Sequence, residues 1–583
     1  MATEEITEPE GLAALSLDAL SSVAYGPQAM LIVLVTAGAG AYDYILPITV
    51  GIVILLAILV ASYRQVIDAY PEGGGAYAVS KANLGSGASR LAGASLIVDY
   101  VLTVAVSIAA GVATLQSTFP ALAPFTLPLC LAVLTIITVV NLRGVGEGAR
   151  AFIVPTAVFV LGLFAVLGAG LLHLGASRAA ALPLTLAPVG VFLLLKAFAA
   201  GSSALTGVEA IANGVPLFRS PKVRRAKTTE ALLGGILGTM LLAMAVLAVH
   251  YHVAPNPNET VLNQIMRHAV GSSWLYYLVA LGVTTVLALA ANTSFGGLPL
   301  LLSLLAHDGL VPHLFAQRGD RQVFQYGIGF LAIVAAVLLL VSDGNTNALV
   351  PLFAIGVFIG FTCAQSGMVV HWWRTRERHW HAHLAINAIG ALLTGMATIV
   401  FAVTKFAEGA WIVVLAVPAL ILLFHRIHRY YAHASIAMGI GERPGPLTKS
   451  TTLVIVPITD ISRITAQALS DATSFGSEVV AVMVIFDKEH GRRVRAEWDA
   501  WNPGVDLKLL QSQYRSVVRP VLRFVTSAEV TRRDRVVVLI PEVVADRWWQ
   551  SLLHNQMGRI LSSALRRKTD VVVAMMPVHL PTN

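Results

Sequence analysis

Three carboxylates stand inside long apolar runs of this sequence: Asp18, Asp99 and Glu209. A charged group at membrane depth is costly, and it is usually kept where it faces a polar path. Oxygen-bearing side chains accompany these acids: Tyr25, Tyr100, Thr103, Ser107 and Thr206. Asp99, Thr103 and Ser107 are each four residues apart. On a helix that spacing places one carboxylate and two hydroxyls on one face, with Tyr100 on the neighbouring stripe. Hard cations are bound by carboxylate, hydroxyl and carbonyl oxygens. Acids and hydroxyls in apolar surroundings therefore suggest a cation site. The competing reading is that Asp18 and Asp99 lie near interfaces and are simply solvated.

Breaks in the helices would supply the missing carbonyls. LDALSSVAYGPQAM carries Gly26 and Pro27 in mid-segment, and GSSALTGVEAIANG carries Gly207. Proline has no N–H and clashes with the preceding turn. Backbone freed at such a break is tolerated in a membrane only where it lines a protein cavity. SSVAYG at 21–26 and SSALTG at 202–207 look alike, and they lie five segments apart. Paired breaks of this kind point to an inverted repeat with its site at the midplane. Two unrelated kinks are the alternative.

The elements around the breaks follow from composition. Of 583 residues, 56% are hydrophobic and only 12% are charged. A soluble protein so apolar would expose large greasy patches, and a disordered chain needs low hydrophobicity. The two cysteines, Cys130 and Cys363, lie in apolar runs and give neither a disulfide framework nor a metal site. The N-terminus is acidic where a secretory signal would be basic, so no cleaved signal is expected. About twelve segments approach the roughly 20 apolar residues that span a bilayer. They fall near 12–36, 43–66, 86–117, 124–142, 151–174, 187–216, 228–252, 273–305, 325–342, 346–371, 382–403 and 409–428.

The texture changes after the Gly/Pro-rich linker 441–450. Strand-length runs TTLVIVPI, EVVAVMVIF, RVVVLIP and DVVVAMMPV then alternate with helical stretches at 462–474, 515–530 and 547–568. Strands alternating with helices predict a parallel sheet, hence an α/β domain over 451–583 after a membrane domain over 1–440. Basic residues set the orientation. With the N-terminus inside, the inner loops hold Arg64, Lys81, Arg90, Arg143, Arg150, Arg219, Lys222, Arg224, Arg225, Lys227, Arg318, Arg321, Arg374, Arg376 and Arg378. The outer loops hold only Arg178, Arg267 and Lys405. An even helix number then leaves both termini in the cytoplasm. Lys196, early in the sixth segment, is read as snorkelling to the interface, with a place near the pore as the alternative. HWWRTRERHWHAH (371–383) reads as an interfacial loop rather than a metal site. Asn141–Arg150 reads as a loop and helix cap.

Several strings resemble known families. YPEGGGAYAVSKANLG (70–85), NLRGVGEGAR (141–150) and AHDGLVPHLFAQR (306–318) resemble motifs of the amino acid–polyamine–organocation superfamily. LDALSSVAYG, IVDYVLTVAVS (97–107), LTGVEAIANG (205–214) and LFAIGVF (352–358) resemble the KimA branch of the KUP potassium/proton symporters. The resemblance spans nearly the whole chain. It implies a LeuT-like five-plus-five inverted repeat plus two extra helices, twelve in all, in the cell membrane. The implied activity is high-affinity potassium uptake by proton symport through alternating access, and not an enzymatic reaction. Its ion path falls on Asp18, Tyr25, Asp99, Tyr100, Thr103, Ser107, Thr206 and Glu209, with Asp99 and Glu209 the candidates for proton exchange. Phe353 stands at a candidate gate where the family is expected to place a tyrosine.

The resemblance also implies a universal-stress-protein-like C-terminal domain that dimerises the transporter. It implies regulation by cyclic di-AMP, but no resident cofactor, no metal other than potassium and no nucleic-acid partner. Arg492, Arg493, Arg495, Arg515, Arg519, Arg523, Arg532 and Arg533 are candidates for pairing with phosphates or anionic lipid. HNQMGRILSSALRR (554–567) is a poor phosphate loop; it keeps Gly558, Ser562 and Ser563, and His554 is read as part of a solvated face. The main rival is an amino-acid or polyamine permease of the same superfamily. Against an amino acid, Tyr25 fills the first break and Pro27 withholds an N–H that a substrate carboxylate would need; a cationic amine would tolerate the acids better, so the polyamine alternative stays open.

Overall fold

The computed structural model describes residues 5–36, 39–143, 152–173, 190–256, 258–319, 323–406, 409–438, 451–476, 478–512, 516–527, 530, 533–544 and 557–579. Contacts divide the chain into two compact units, Met1–Ile440 and Gly441–Asn583. The linker 441–450, Arg150, Arg178, Arg321, Arg515, Arg532 and His554 lie outside the described residues.

The first unit is all helical. Its helices are α1 (Glu8–Leu15), α2 (Leu17–Ser21), α3 (Gly26–Val35), α4 (Ile45–Ala69), α5 (Gly75–Asn83), α6 (Ser86–Thr118), α7 (Thr126–Leu142), α8 (Ile153–Leu172), α9 (Val191–Ser202) and α10 (Ala210–Asn213). They continue as α11 (Lys222–His250), α12 (Val261–Val270), α13 (Trp274–His307), α14 (Gln325–Val341), α15 (Thr346–Thr375), α16 (Trp380–Thr404) and α17 (Trp411–Ala437). Among the described residues, 11 helical segments are long and apolar enough to cross a membrane; α14 is apolar but shorter. Ile54, Ile136, Leu161, Ile333, Ile399 and Leu422 are each more than half exposed on these helices. In water such a surface would aggregate; facing lipid tails it needs no cover. The chain is thus a polytopic helical membrane protein.

The bundle is organised around α6, which packs against α13 and α15 and is buried along most of its length. The half-helix α3 packs on α9, and α11 packs on α4. Several loops of the sequence reading are helical. The expected first segment divides at Ser16 into α1 and α2. YPEGGGAYAVSKANLG contains α5, whose Tyr77 hydroxyl and Lys81 ammonium donate to Asp308 at 2.5 and 2.7 Å. The α12 helix is amphipathic and starts at a Thr260 cap that accepts from the Asn263 amide at 3.2 Å. Asn141 is not a cap. It sits in the last turn of α7 and donates to Asn292 on α13 at 2.6 Å. Most of HWWRTRERHWHAH is also helical, with Arg376 and His379 in left-handed conformation at the turn between α15 and α16.

The second unit is an α/β domain. Its strands are β1 (Thr452–Ile458), β2 (Glu478–Ile485), β3 (Asp506–Gln511), β4 (Arg535–Val544) and β5 (Val572–His579). All pairings are parallel, in the order β3-β2-β1-β4-β5. The helices are α18 (Arg463–Phe475), α19 (Lys488–Trp501), α20 (Val518–Val525) and α21 (Met557–Lys568). Alternate β1 residues feed opposite faces. Val454 and Val456 pack with Ala468 and Trp498 of α18 and α19, while Leu453 and Ile455 pack with Val521 and Leu565 of α20 and α21. Both faces covered is the arrangement parallel strands require. The sequence reading missed β3, whose DLKLLQ is too short and mixed to stand out. It also missed α19, which buries only Gly491, Val494 and Trp498 amid charged residues.

Candidate functional site

The two break strings fold alike. In the first, α2 gives way to a single 3-10 turn at Ser22–Ala24, and α3 starts at Gly26. Pro27 therefore falls in the first turn of α3, where its missing N–H would have had no partner. In the second, α9 gives way to a 3-10 turn at Ser203–Leu205, and α10 starts at Ala210. The same three positions of the shared string form the turn in both. Thr206 is extended and Gly207 is left-handed at φ +76°.

The breaks are packed on each other. A Cβ at Gly26 would stand 2.4 Å from the Ala204 Cβ, and one at Gly207 would stand 2.8 Å from both the Ala19 amide nitrogen and Asp18 Oδ2. The Ser22 hydroxyl lies 2.6 Å from the Ala19 carbonyl and 2.5 Å from the Ala204 carbonyl, so its hydrogen joins the two breaks. The Thr206 hydroxyl donates to Asp18 Oδ2 at 3.3 Å.

The predicted residues gather here in part. Asp18, Tyr25, Asp99, Thr103, Ser107, Thr206 and Glu209 are all buried, and Tyr100 is half-buried. Burial of Asp18 at 5% exposure and Asp99 at 2% removes the solvated-interface reading for both. Asp99 lies within electrostatic reach of Glu209 and Asp18. The three carboxylates do not converge as a transition-metal site would, and no such cluster occurs among the described residues. Tyr25 meets Phe353 of α15 edge-on, ring centroids 6.3 Å apart at 74°. Phe353 is fully buried and, as a phenylalanine, brings no oxygen to this contact. Ser107 stands apart, two turns or about 12 Å along α6 from Asp99.

Asp18 Oδ1, Tyr25 OH, Asp99 Oδ1, Ser107 Oγ and Glu209 Oε2 are buried and have no hydrogen-bond partner among the described residues. A buried polar atom left unpaired costs about 1–3 kcal/mol. A concentration of unpaired oxygens, rich in carboxylates, is what a dehydrated cation or a proton would satisfy.

Sequence reasoning missed Glu230 on α11, with 0% exposure and both carboxylate oxygens unpaired, and Tyr63 on α4, whose buried hydroxyl is also unpaired. The signal was present for Glu230, an acid within the predicted seventh segment 228–252. Tyr63 gave none, since a tyrosine near a helix end usually sits at the interface.

A helical membrane unit with two broken helices packed around buried acids defines the class of substrate carriers. The amino acid permease family model matches residues 12–424, and the model of the KimA potassium transporter C-terminal domain matches residues 449–578. The potassium transporter KimA of Bacillus subtilis (strain 168) is 41% identical over 586 residues, covering 99% of this chain and 96% of that protein. The mitochondrial cationic amino acid transporter 3 of Arabidopsis thaliana is 27% identical over 53% of this chain and 53% of its own length. A mutant manganese transporter of Eremococcus coleocola matches with TM-score 0.38 and 13% identity, over 72% of this chain and 94% of its own. The chain belongs to the amino acid permease family and, within it, to the family of the potassium transporter KimA. It is a transporter and not an enzyme.

Proposed function

We propose that this chain takes up potassium with high affinity by proton symport through alternating access. The observation that carries the reading is the set of unpaired buried oxygens on Asp18, Tyr25, Asp99 and Glu209 at two packed helix breaks, with the unpaired Ser107 hydroxyl two turns further along α6. Potassium exchanges its water for these oxygens, for the Thr206 hydroxyl and for carbonyls at the breaks. Asp99 and Glu209 exchange the proton, since each is a carboxyl buried beside another acid. Tyr100 and Thr103 belong to the same path from α6, and the Phe353 ring against Tyr25 is the gate contact.

The LeuT-like five-plus-five repeat with two added helices is part of this reading. It draws support from the matching 3-10 turns at Ser22–Ala24 and Ser203–Leu205. Both termini face the cytoplasm of a cell membrane, as the distribution of Lys and Arg favours. The universal-stress-protein-like domain over 451–583 joins two copies into a homodimer. Cyclic di-AMP would meet an open cleft of about 430 Å³ lined by Arg566, Arg567, Ser562, Ser563, Met575 and Arg559, the last paired with Glu542 of the same cleft at 2.6 Å.

The amino-acid reading is weaker: Tyr25 occupies the first break, its ring meets Phe353, and Pro27 offers no N–H to a substrate carboxylate. A polyamine would suit the buried acids and is the rival that remains. Uptake of rubidium by the purified chain in liposomes, set beside labelled amines and amino acids, tests the choice. Rubidium entry driven by an inward proton gradient is expected. Amine entry without rubidium entry would overturn the reading.

A further inference from the structure

Glu230 lies deep on the seam between α11 and α4. Along that seam Lys227 pairs with Asp68 at 2.5 Å, Gly234 lies against Val60, and Gly238 lies against Val53 and Leu56. The helices run antiparallel in that register, so Glu230 falls between the first two rungs, at the level of Tyr63 and Arg64. Arg64 is exposed, while Tyr63 is fully buried and its ring meets Phe361 at 5.9 Å. Both Glu230 oxygens and the Tyr63 hydroxyl are buried and lack a hydrogen-bond partner among the described residues. The short α10, which follows Glu209, packs on both α4 and α11.

The charged groups on the other neighbours have partners of their own. Glu8 on α1 pairs with Arg225 at 2.6 Å, Glu10 accepts from the Thr7 amide, and Asp18 on α2 accepts from Thr206 through Oδ2 while its Oδ1 belongs to the ion site. Arg267 on α12 pairs with Glu259 at 3.1 Å. Electrostatic contact with Glu230 comes from Glu209, Tyr63 and Arg64.

We infer that Glu230 is a second intramembrane proton station, between Glu209 and the exposed Arg64 face, with Tyr63 as the hydroxyl between the two acids. The inference rests on the proton-coupled reading above. The step conserves protons. The Tyr63 hydroxyl is not hydrogen-bonded to either acid, so water completes the relay: the proton leaving Glu209 passes through water to the Tyr63 hydroxyl, which gives its own through water to the Glu230 carboxylate, and the phenol is neutral before and after. Glu230 then releases the proton to water at the Arg64 face. A buried unpaired carboxylate one helix face from the site is otherwise a large and unrecovered cost. Intramembrane carboxylates are retained where they relay protons.

The test uses the full chain in liposomes with a trapped pH-sensitive dye and rubidium as tracer. E230Q is expected to lower proton entry and rubidium uptake together by about tenfold or more. The remaining uptake should lose its dependence on internal pH, and E230D should restore part of both. Y63F is expected to slow proton entry severalfold. It also covers the case in which E230Q does not fold, judged by its elution in detergent. Wild-type proton entry with an unchanged internal-pH profile in E230Q, or in Y63F if E230Q is not folded, overturns the inference. Rubidium uptake by the wild type without proton entry overturns the coupling reading on which it rests, and this inference with it.

Discussion

At the residue scale, the acids and hydroxyls were legible because each breaks the apolar composition a bilayer demands. Asp18, Asp99 and Glu209 are conspicuous in a chain with only 12% charged residues. What each oxygen touches was not legible. The contact of Thr206 with Asp18 joins residues 188 positions apart. Two substitutions test the roles. Glu209→Gln keeps the shape and removes the exchangeable proton. Rubidium uptake into liposomes should fall and lose its response to an imposed pH gradient; unchanged transport and pH dependence would remove Glu209 from coupling. Tyr25→Phe removes one unpaired oxygen and keeps the ring contact with Phe353. A contact to a charged partner is worth about 1.5–3 kcal/mol, so half-saturation for rubidium should rise about tenfold or more. An unchanged concentration dependence would show that the phenol is not a ligand.

At the element scale, the sequence placed the breaks correctly, and the fold revealed their form. Pro27 does not kink a continuous helix; it opens a new one. Gly207 is required twice over, by its left-handed backbone and by Asp18 and Ala19 against it. Gly207→Ala adds backbone strain of about 1–3 kcal/mol and a clash with main chain. The expected result is a lower thermal midpoint and little or no uptake. Gly235→Ala in α11, where a Cβ meets nothing within 4 Å, is the control and should leave the midpoint equal or higher.

The α1 helix carries an acid-sensitive contact. Its own helix-start amide, then Arg225, holds the Glu8 carboxyl below the usual carboxylate range. A folded-state value below the unfolded one stabilises the docked helix above about pH 4.3 and is lost as pH falls through the folded value. The protection factor of the α1 amides, exchange corrected for its intrinsic pH dependence, should therefore fall on acidification in the wild type. Glu8→Gln should exchange faster at neutral pH and lose that acid step.

At the scale of the whole molecule, the two compact units have separate hydrophobic cores. A chain cut at residue 440 should keep its helical content and elute as a defined species in detergent. On the dimerisation reading, light scattering should find two copies for the full chain and one for the shortened chain. A dimer of the shortened chain would place the interface in the membrane unit instead.

Composition and hydrophobic period alone determined that this chain lives in a membrane, where most of its spanning helices lie, that an α/β domain follows, and that Asp18, Asp99 and Glu209 stand in apolar segments. Those properties depend on each segment's own solubility in lipid or water, so local sequence carries them. Only the tertiary structure decided that the two breaks clasp each other through Ser22, that Phe353 closes on Tyr25, and that Glu230 falls opposite Tyr63 and Arg64. Each of these joins distant segments, and the choice of facing surfaces comes from packing that no single stretch encodes. The same limit hid β3 and α19, whose weak patterns become elements only against neighbours already in place.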